Sequence, residues 1–432
     1  MARFFSTSSV IDIWTAASDS VMQSLYGQRA PHGCAHHGVL WDNRGMAATA
    51  RQTERSRQTD LRVAESAANA VRRDGIDQLA LTRVAADAGY SSGVIYARCD
   101  DRSELMVLAW QKSFWPSLRE VLDGAFRAVL DRDTRAVDAA VDLWAARCDG
   151  TSVPDIGSAA EVIAAARRDE VLAEVVHHDV NELLSCFGAG PGTTGAAREL
   201  LLLTAATLLG SALLNSSVGP GSESVVDPRH LLRFFVAGRE ATEPATSVQG
   251  QPAAAERIRT GDDVRDALID ATEYVIARSG VHRATVSRIA RRAGVSVGAI
   301  YGLYENKESL VIDCVSIIHP PQARRDTEAW AGLGSADDFR ACMSANLRSY
   351  LSPGLRQWRL FRIELLVAAR HAPGLSRLLD EYGHDSMEEL TARFRAPLLQ
   401  SVPARGTMVG LALLETVDST VSALEWRWFP IG

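Results

Sequence analysis

The stretch AGVSVGAIYGLYENKESL, Ala293 to Leu310, decides how this chain is read, because a looser copy, AGYSSGVIYARCDDRSEL, occupies Ala88 to Leu105. Sliding the sequence by 205 positions sets Val84–Leu105 against Ile289–Leu310, and eight of the twenty-two positions are identical. The shared residues are Ala85/Ala290, Ala88/Ala293, Gly89/Gly294, Ser91/Ser296, Gly93/Gly298, Ile95/Ile300, Tyr96/Tyr301 and Leu105/Leu310. The upstream glycines Gly75 and Gly280 keep the same register. At an offset of 203, EVIAAAR (Glu161–Arg167) matches ELLVAAR (Glu364–Arg370). Self-similarity over such distances reads as a duplicated module. The Pro/Gly/Ser/Thr/Ala-rich run Ala241–Glu256 between the halves reads as an exposed linker.

Apolar residues recur at three- and four-residue steps, which predicts helices throughout. In the second half, Val264–Arg278 is the first helix, with Leu268, Thr272, Val275 and Ile276 on one face and Gly280 at its end. A second helix follows over Thr285–Ala293. Gly294 permits a left-handed turn, and Ser296 is placed to cap a third helix, Val297–Leu303. The first half repeats this as Leu61–Arg73, Gly75, Leu81–Ala88, Gly89, Ser91 and Ser92–Arg98. Helix, tight turn and helix suit DNA, because the last helix fits the major groove while neighbouring helix ends grip phosphates. Ile300 is expected to point inward, leaving Val297, Ala299 and Leu303 facing outward for apolar contacts with thymine methyls. Ser296 and Thr285, at helix starts, are suited to phosphate. Tyr301, Lys307 and Arg288 are expected on the phosphate flanks. The first-half candidates are Arg83, Ser91, Ser92, Val94, Tyr96, Arg98 and Arg102, with Arg98 expected to take a guanine.

The pattern Ile289-Ala290-x-x-Ala293-Gly294-Val295-Ser296-x-Gly298-x-Ile300-Tyr301-x-x-Tyr304-x-x-Lys307-Glu308-x-Leu310 resembles the DNA-binding domain of the TetR family of transcriptional repressors. That resemblance implies an all-helical protein with a three-helix DNA-binding head, a larger helical ligand-binding body, and dimers built from helices near the C-terminus. It implies that Thr285, Tyr301 and Lys307 contact phosphates and that Val297 and Ala299 lie against base edges. The first module departs from the pattern, with Cys99 where an aromatic residue is usual and Arg102 in place of the lysine.

Charge separates the two heads. From Arg278 to Lys307, six basic residues (Arg278, Arg283, Arg288, Arg291, Arg292, Lys307) face one acid, Glu305, a net of +5. From Arg73 to Arg102, four (Arg73, Arg83, Arg98, Arg102) face five (Asp74, Asp77, Asp87, Asp100, Asp101), a net of −1. The basic lead-in Arg51, Arg55, Arg57 and Arg62 partly compensates the first head. Phosphate attraction supplies much of the affinity for DNA, so the second head is expected to hold more strongly. Over all 432 residues the net charge is −7, which argues against a protein that coats nucleic acid indiscriminately.

Other classes find less support. The apolar run Leu200–Leu214 falls about a turn short of the ~20 residues that span a bilayer, so it is expected to be a buried helix. Six scattered cysteines without a Cys-x-x-Cys pair indicate neither zinc nor a disulfide framework and suit a reducing cytoplasm. GAGPGTTGAA, Gly188–Ala197, has glycine spacing like a phosphate loop but Ala196 and Ala197 where Lys and Ser/Thr must stand, so it reads as an interhelical loop. Glu174-x-x-His177 and Glu381-x-x-His384 read as solvated helix faces rather than di-iron ligands. Cys34, His36 and His37 form a weak metal pattern in an aperiodic leader. No catalytic constellation is recognisable, and no enzyme activity, cofactor or metal is expected.

The expected architecture is all-α, with two tandem TetR-like modules: residues 1–50 a poorly ordered extension, 51–110 the first helix-turn-helix head, 111–240 the first body, 241–258 a linker, 259–315 the second head and 316–432 the second body. The expected function is a cytoplasmic, ligand-responsive repressor that binds a double-stranded DNA operator and a small-molecule effector of unnamed chemistry. It would act as an intramolecular pseudo-dimer or a homodimer, away from membranes. The alternative is a helical small-molecule-binding or protein-interaction protein with one or both heads degenerate.

Overall fold

The computed structural model describes residues 43–149, 155–218, 222, 225–237, 239–240, 258–331, 347–394, 404–424 and 428–429. The aperiodic leader up to residue 42, including Cys34, His36 and His37, and the linker 241–257 lie outside the described residues. The chain divides between Glu54 and Arg55, and the contacts below all lie within Arg55–Gly432.

In the second head, helix Asp263–Arg283 starts where the Asp262 carboxylate accepts the amides of Val264 (2.9 Å) and Arg265 (3.0 Å). Its expected stripe is buried: Leu268, Thr272, Val275 and Ile276. The helix runs past the expected end at Arg278 but breaks at Gly280, whose φ of 79° is open to glycine and strained for other residues. Val286–Ala293 and Val297–Leu303 follow, separated by Gly294 in the left-handed conformation. Ile289, Ala290, Ile300 and Leu310 close a small core with that stripe. Tyr304 fills its edge, and its hydroxyl donates to Asp313 at 2.6 Å, a carboxylate also held by both prongs of Arg265.

The first head repeats the arrangement with helices Asn43–Asp74, Leu81–Asp87 and Ser92–Tyr96. The first of these begins well before the expected Leu61 and takes in the last residues of the presumed extension. Here Cys99, buried at 2% exposure, stands where the second head has Tyr304.

Between the heads and the C-terminus the described chain is again helical, including Ile156–Ala166, Glu170–Cys186, Ala196–Ser217, Arg356–Ala369, Pro373–Phe394 and Ala404–Val417. Two-residue segments, Arg239–Glu240 and Trp428–Phe429, pair antiparallel. GAGPGTTGAA supplies the loop before Ala196–Ser217 and the first turn of that helix. Among the described residues, Cys99, Cys148, Cys186 and Cys314 form no disulfide.

Helix Ala196–Ser217 forms the centre. Its 22 residues have the length and hydropathy to cross a membrane, so the expected shortfall is corrected, yet 89% of its apolar window is buried inside the protein. It packs along Ala404–Val417. The crossing is close because glycines stand where the backbones meet. A Cβ on Gly210 would strike the carbonyl of Gly406, and one on Gly410 would strike the carbonyl of Ala206. Thr207 and Thr407 share a hydrogen bond at 2.8 Å across it. At one end, buried Arg198 meets Asp418 at 2.5 Å.

A second contact joins the ends of Ile156–Ala166 and Arg356–Ala369. Arg167 donates to Glu364 at 2.7 Å, and Arg370 donates to Glu161 at 2.9 Å. Both carboxylates are 1% exposed. Each carboxylate has further partners, with Arg168 Nε 3.3 Å from Glu364 and His371 Nε2 3.3 Å from Glu161, so the pairs belong to one buried network of compensated charges.

Candidate nucleic-acid interface

The second recognition helix is built as its sequence demands. Ser296 Oγ accepts the Ala299 amide at 3.1 Å and Thr285 Oγ1 accepts the Arg288 amide at 3.3 Å, so both hydroxyls sit at helix starts. Ile300 is fully buried, while Val297, Tyr301 and Leu303 are 38%, 57% and 47% exposed and Ala299 is partly exposed. That anchoring leaves an apolar, exposed face with an aromatic hydroxyl at its side. Arg288 and Arg291 are exposed, and the Arg288 guanidinium donates to the Arg283 carbonyl at 3.1 Å. Arg292 and Arg278 lie over the Tyr274 ring, 4.0 and 5.5 Å from its centroid, which holds their charge against the first helix.

The first recognition helix has the same anchor, Ile95, and the same exposed tyrosine, Tyr96 at 53%. Ser91 is exposed, and Ser92 and Val94 are partly so, but Ser91 makes no side-chain cap. Arg98 is placed differently from the expectation. Its Nε donates to Asp60 at 2.6 Å and its Nη1 to the Val94 carbonyl at 3.0 Å, so it braces the head internally instead of standing ready for a guanine. Arg83 pairs with Asp74 at 3.2 Å, and Arg73 with Asp74 and Asp87. The arginines of the −1 head are thus largely engaged by its own acids.

Lys307 and Arg102, expected on phosphates, occupy matched internal positions. Lys307 Nζ donates to the Val281 carbonyl at 3.0 Å, and partial burial lowers its pKa. Arg102 Nη1 donates to the Asp77 carbonyl at 3.3 Å. Each ties the end of its head to the turn following that head's first helix.

Those turns also touch one another, which sequence reading missed. Gln78 Nε2 meets His282 Nδ1 at 2.9 Å, and Arg283 meets Asp77 at 3.1 Å. Beneath them, Arg168 reaches Asp77 at 3.1 Å and the Ser279 carbonyl at 2.9 Å, and the Ile76 amide donates to Glu161 at 2.7 Å. The ion pairs that join the bodies therefore continue into the joint between the heads. A sequence signal existed in the Glu and Arg repeated within apolar EVIAAAR and ELLVAAR, since charges in such settings are paired when buried.

Among the described residues, His178, Asp179 and Glu182 bring three ligand atoms within 4.8 Å of one another, beside the Glu174-x-x-His177 pattern. Glu174 and His384 are exposed, and His177 is half-buried with its pKa lowered by burial.

A capped recognition helix with an exposed face, set on a three-helix head, makes this a helix-turn-helix transcriptional regulator. Residues 268–314 match the model of bacterial regulatory proteins of the tetR family. The HTH-type transcriptional regulator BetI of Serratia proteamaculans (strain 568) is 32% identical over 155 residues, covering 35% of this chain and 76% of that protein. BetI of Escherichia coli (strain K12) is 30% identical over 141 residues, covering 29% and 71%. A solved transcriptional regulator, SCO7518 of Streptomyces coelicolor A3(2), aligns over 36% of this chain and 88% of its own at 22% identity, with a TM-score of 0.31. The chain belongs to the tetR family: it is a regulator and not an enzyme.

Proposed function

We propose that a single chain is a complete pseudo-dimeric repressor, in which two unlike heads read two unlike half-sites of one operator and a small molecule bound in a body releases it. One observation carries this reading: the contacts between the halves are reciprocal. In a two-fold interface, if residue i meets j, the mate of j meets the mate of i. Arg167 with Glu364 answers Arg370 with Glu161, and each residue is its counterpart at the 203 offset. Gly210 on Gly406 answers Gly410 on Ala206, and Thr207 meets its own mate Thr407, at an offset of 200. The surface that two subunits would share is thus satisfied within one chain.

Release follows if effector favours a head arrangement that no longer fits the groove, by no more than its differential affinity for the two arrangements. A regulator of this kind works in the cytoplasm, where its DNA is. Sedimentation equilibrium alone and with operator fragments selected from a random pool tests the reading. A monomer free in solution, one chain per duplex and a non-palindromic selected site are expected; a stable dimer with two chains per palindromic site would refute it.

A further inference from the structure

Three nitrogen-bearing side chains gather in the second body between Lys307–Ala331, Arg356–Ala369, Pro373–Phe394 and Ala404–Val417. His319 is 8% exposed, its ring stacked on Tyr382 at 5.1 Å and edge-on to Trp358 at 5.7 Å. Among the described residues its Nδ1 has no hydrogen-bond partner. Burial first, then the nearby charges of Arg362 and Arg405, push its pKa down to about 3, so the imidazole is neutral. Arg405 Nη1 donates to the Gly383 carbonyl at 3.1 Å. Burial and the Arg362 charge lower its pKa to about 10, with Asp380 opposing. Arg362 is 9% exposed and has no hydrogen bond or ion pair among the described residues. Two guanidinium charges thus bear on each other and on one neutral imidazole, with Asp380 as the opposing acid.

The fold does not require this polarity. At the offsets that relate the halves, His319 corresponds to Phe114, Arg362 to Ala159 and Arg405 to Ala205, and all three are apolar and no more than 2% exposed. The first body fills the same places with hydrocarbon. Burying a guanidinium short of counter-charge is costly, and an apolar alternative is present in the same molecule. A carboxylate supplies what is missing, since it matches guanidinium geometry with two parallel hydrogen bonds and returns opposite charge. The rings of Trp358 and Tyr382, each packed on the His319 ring, stand on the same group of helices as the two arginines.

We propose that the second body binds one small organic acid per chain, its carboxylate held by Arg362 and Arg405 and its apolar part against Trp358, His319 and Tyr382, and that the first body has no such site. This names the class of effector and rests on the regulator reading only for the consequence on DNA.

The test is the melting temperature of the purified full chain with benzoate, phenylacetate and octanoate, each beside its uncharged amide. At least one acid is expected to raise it by a few degrees at saturation while the amides do not. Without ligand, Arg362→Met is expected to melt higher than the parent, because it removes one of two like charges, whereas Arg405→Met also gives up the hydrogen bond to the Gly383 carbonyl and is judged by ligand alone; both are expected to lose the acid's shift. Should Arg362→Met fail to fold, Arg362→Ala, matching Ala159, takes its place. An Arg362→Met variant that melts lower without ligand would mean that this arginine already has protein partners, and equal shifts from the amides, or none from any acid, would equally sink the proposal. A DNA shift assay on the ligand-free parent, run in parallel, tests the regulator reading separately.

Discussion

Arg98 shows how one partner changes a residue's meaning. On the recognition helix alone it reads as a base-contacting arginine, but Asp60, thirty-eight residues earlier, takes its Nε. Arg98→Ala and Asp60→Ala are each expected to destabilise the first head by up to about 1 kcal/mol, with the double variant losing little more. Thermal melts check this, and a selected site that loses a guanine with unchanged stability would return Arg98 to the DNA. Cys99→Tyr is expected to weaken the same head by about 1–3 kcal/mol, because Asp313, which receives the Tyr304 hydroxyl, corresponds to Leu108 here. His319 sets a pH dependence. Its folded pKa of about 3 lies below the unfolded value near 6.5, so the unfolded chain binds the proton first. Its contribution is complete above pH 6.5 and is lost as pH falls toward 3, by about 1.4 kcal/mol per unit. Denaturant melts at pH 7.5, 5.5 and 4.5 should show a flatter profile for His319→Phe.

At the scale of elements, the crossing of Ala196–Ser217 on Ala404–Val417 depends on absent side chains. Gly210→Leu is expected to force the backbones apart and cost about 1–3 kcal/mol or more, read as a lower melting temperature and weaker DNA binding. Gly192→Ala, in the exposed loop before the helix, serves as a control that meets no atom, although its φ of 77° carries backbone strain of its own. The heads differ in charge around recognition helices with similar anchors. Tyr301→Phe and Arg288→Ala are expected to weaken binding on all sequences, and Arg288→Ala to flatten the slope of log affinity against log salt, more than Tyr96→Phe and Arg83→Ala. Equal losses would show that the two heads share the DNA evenly. Lys307→Ala belongs to another class, since its ammonium holds the turn at Val281, and destabilisation of the second head should accompany any loss of binding.

Across the molecule, the joint formed by Asp77, Gln78, His282, Arg283 and Arg168 bears on the distance between the recognition helices. Asp77→Ala is expected to remove the acceptor for both Arg168 and Arg283 and let that distance vary. Binding to a library of half-site spacings should then spread over neighbouring spacings, with lower peak affinity and unchanged non-specific binding. An unaltered preference would place spacing control in the bodies alone.

The sequence by itself determined the helix-turn-helix heads, their turn glycines, the buried anchor Ile300, the caps Thr285 and Ser296, and the central place of the apolar run Leu200–Leu214. These are local: a 3.6-residue period, a positive φ and a hydroxyl before a helix act within a few residues. Tertiary structure alone decided that Arg98 braces rather than reads, that Lys307 and Arg102 close onto backbone carbonyls, and that EVIAAAR and ELLVAAR exchange ion pairs. It also decided that Arg362, Arg405 and His319 meet where their counterparts are apolar. The reason is range: a charged side chain takes its role from whatever opposite charge or carbonyl the fold carries to it, and the partners here stand tens to hundreds of residues away.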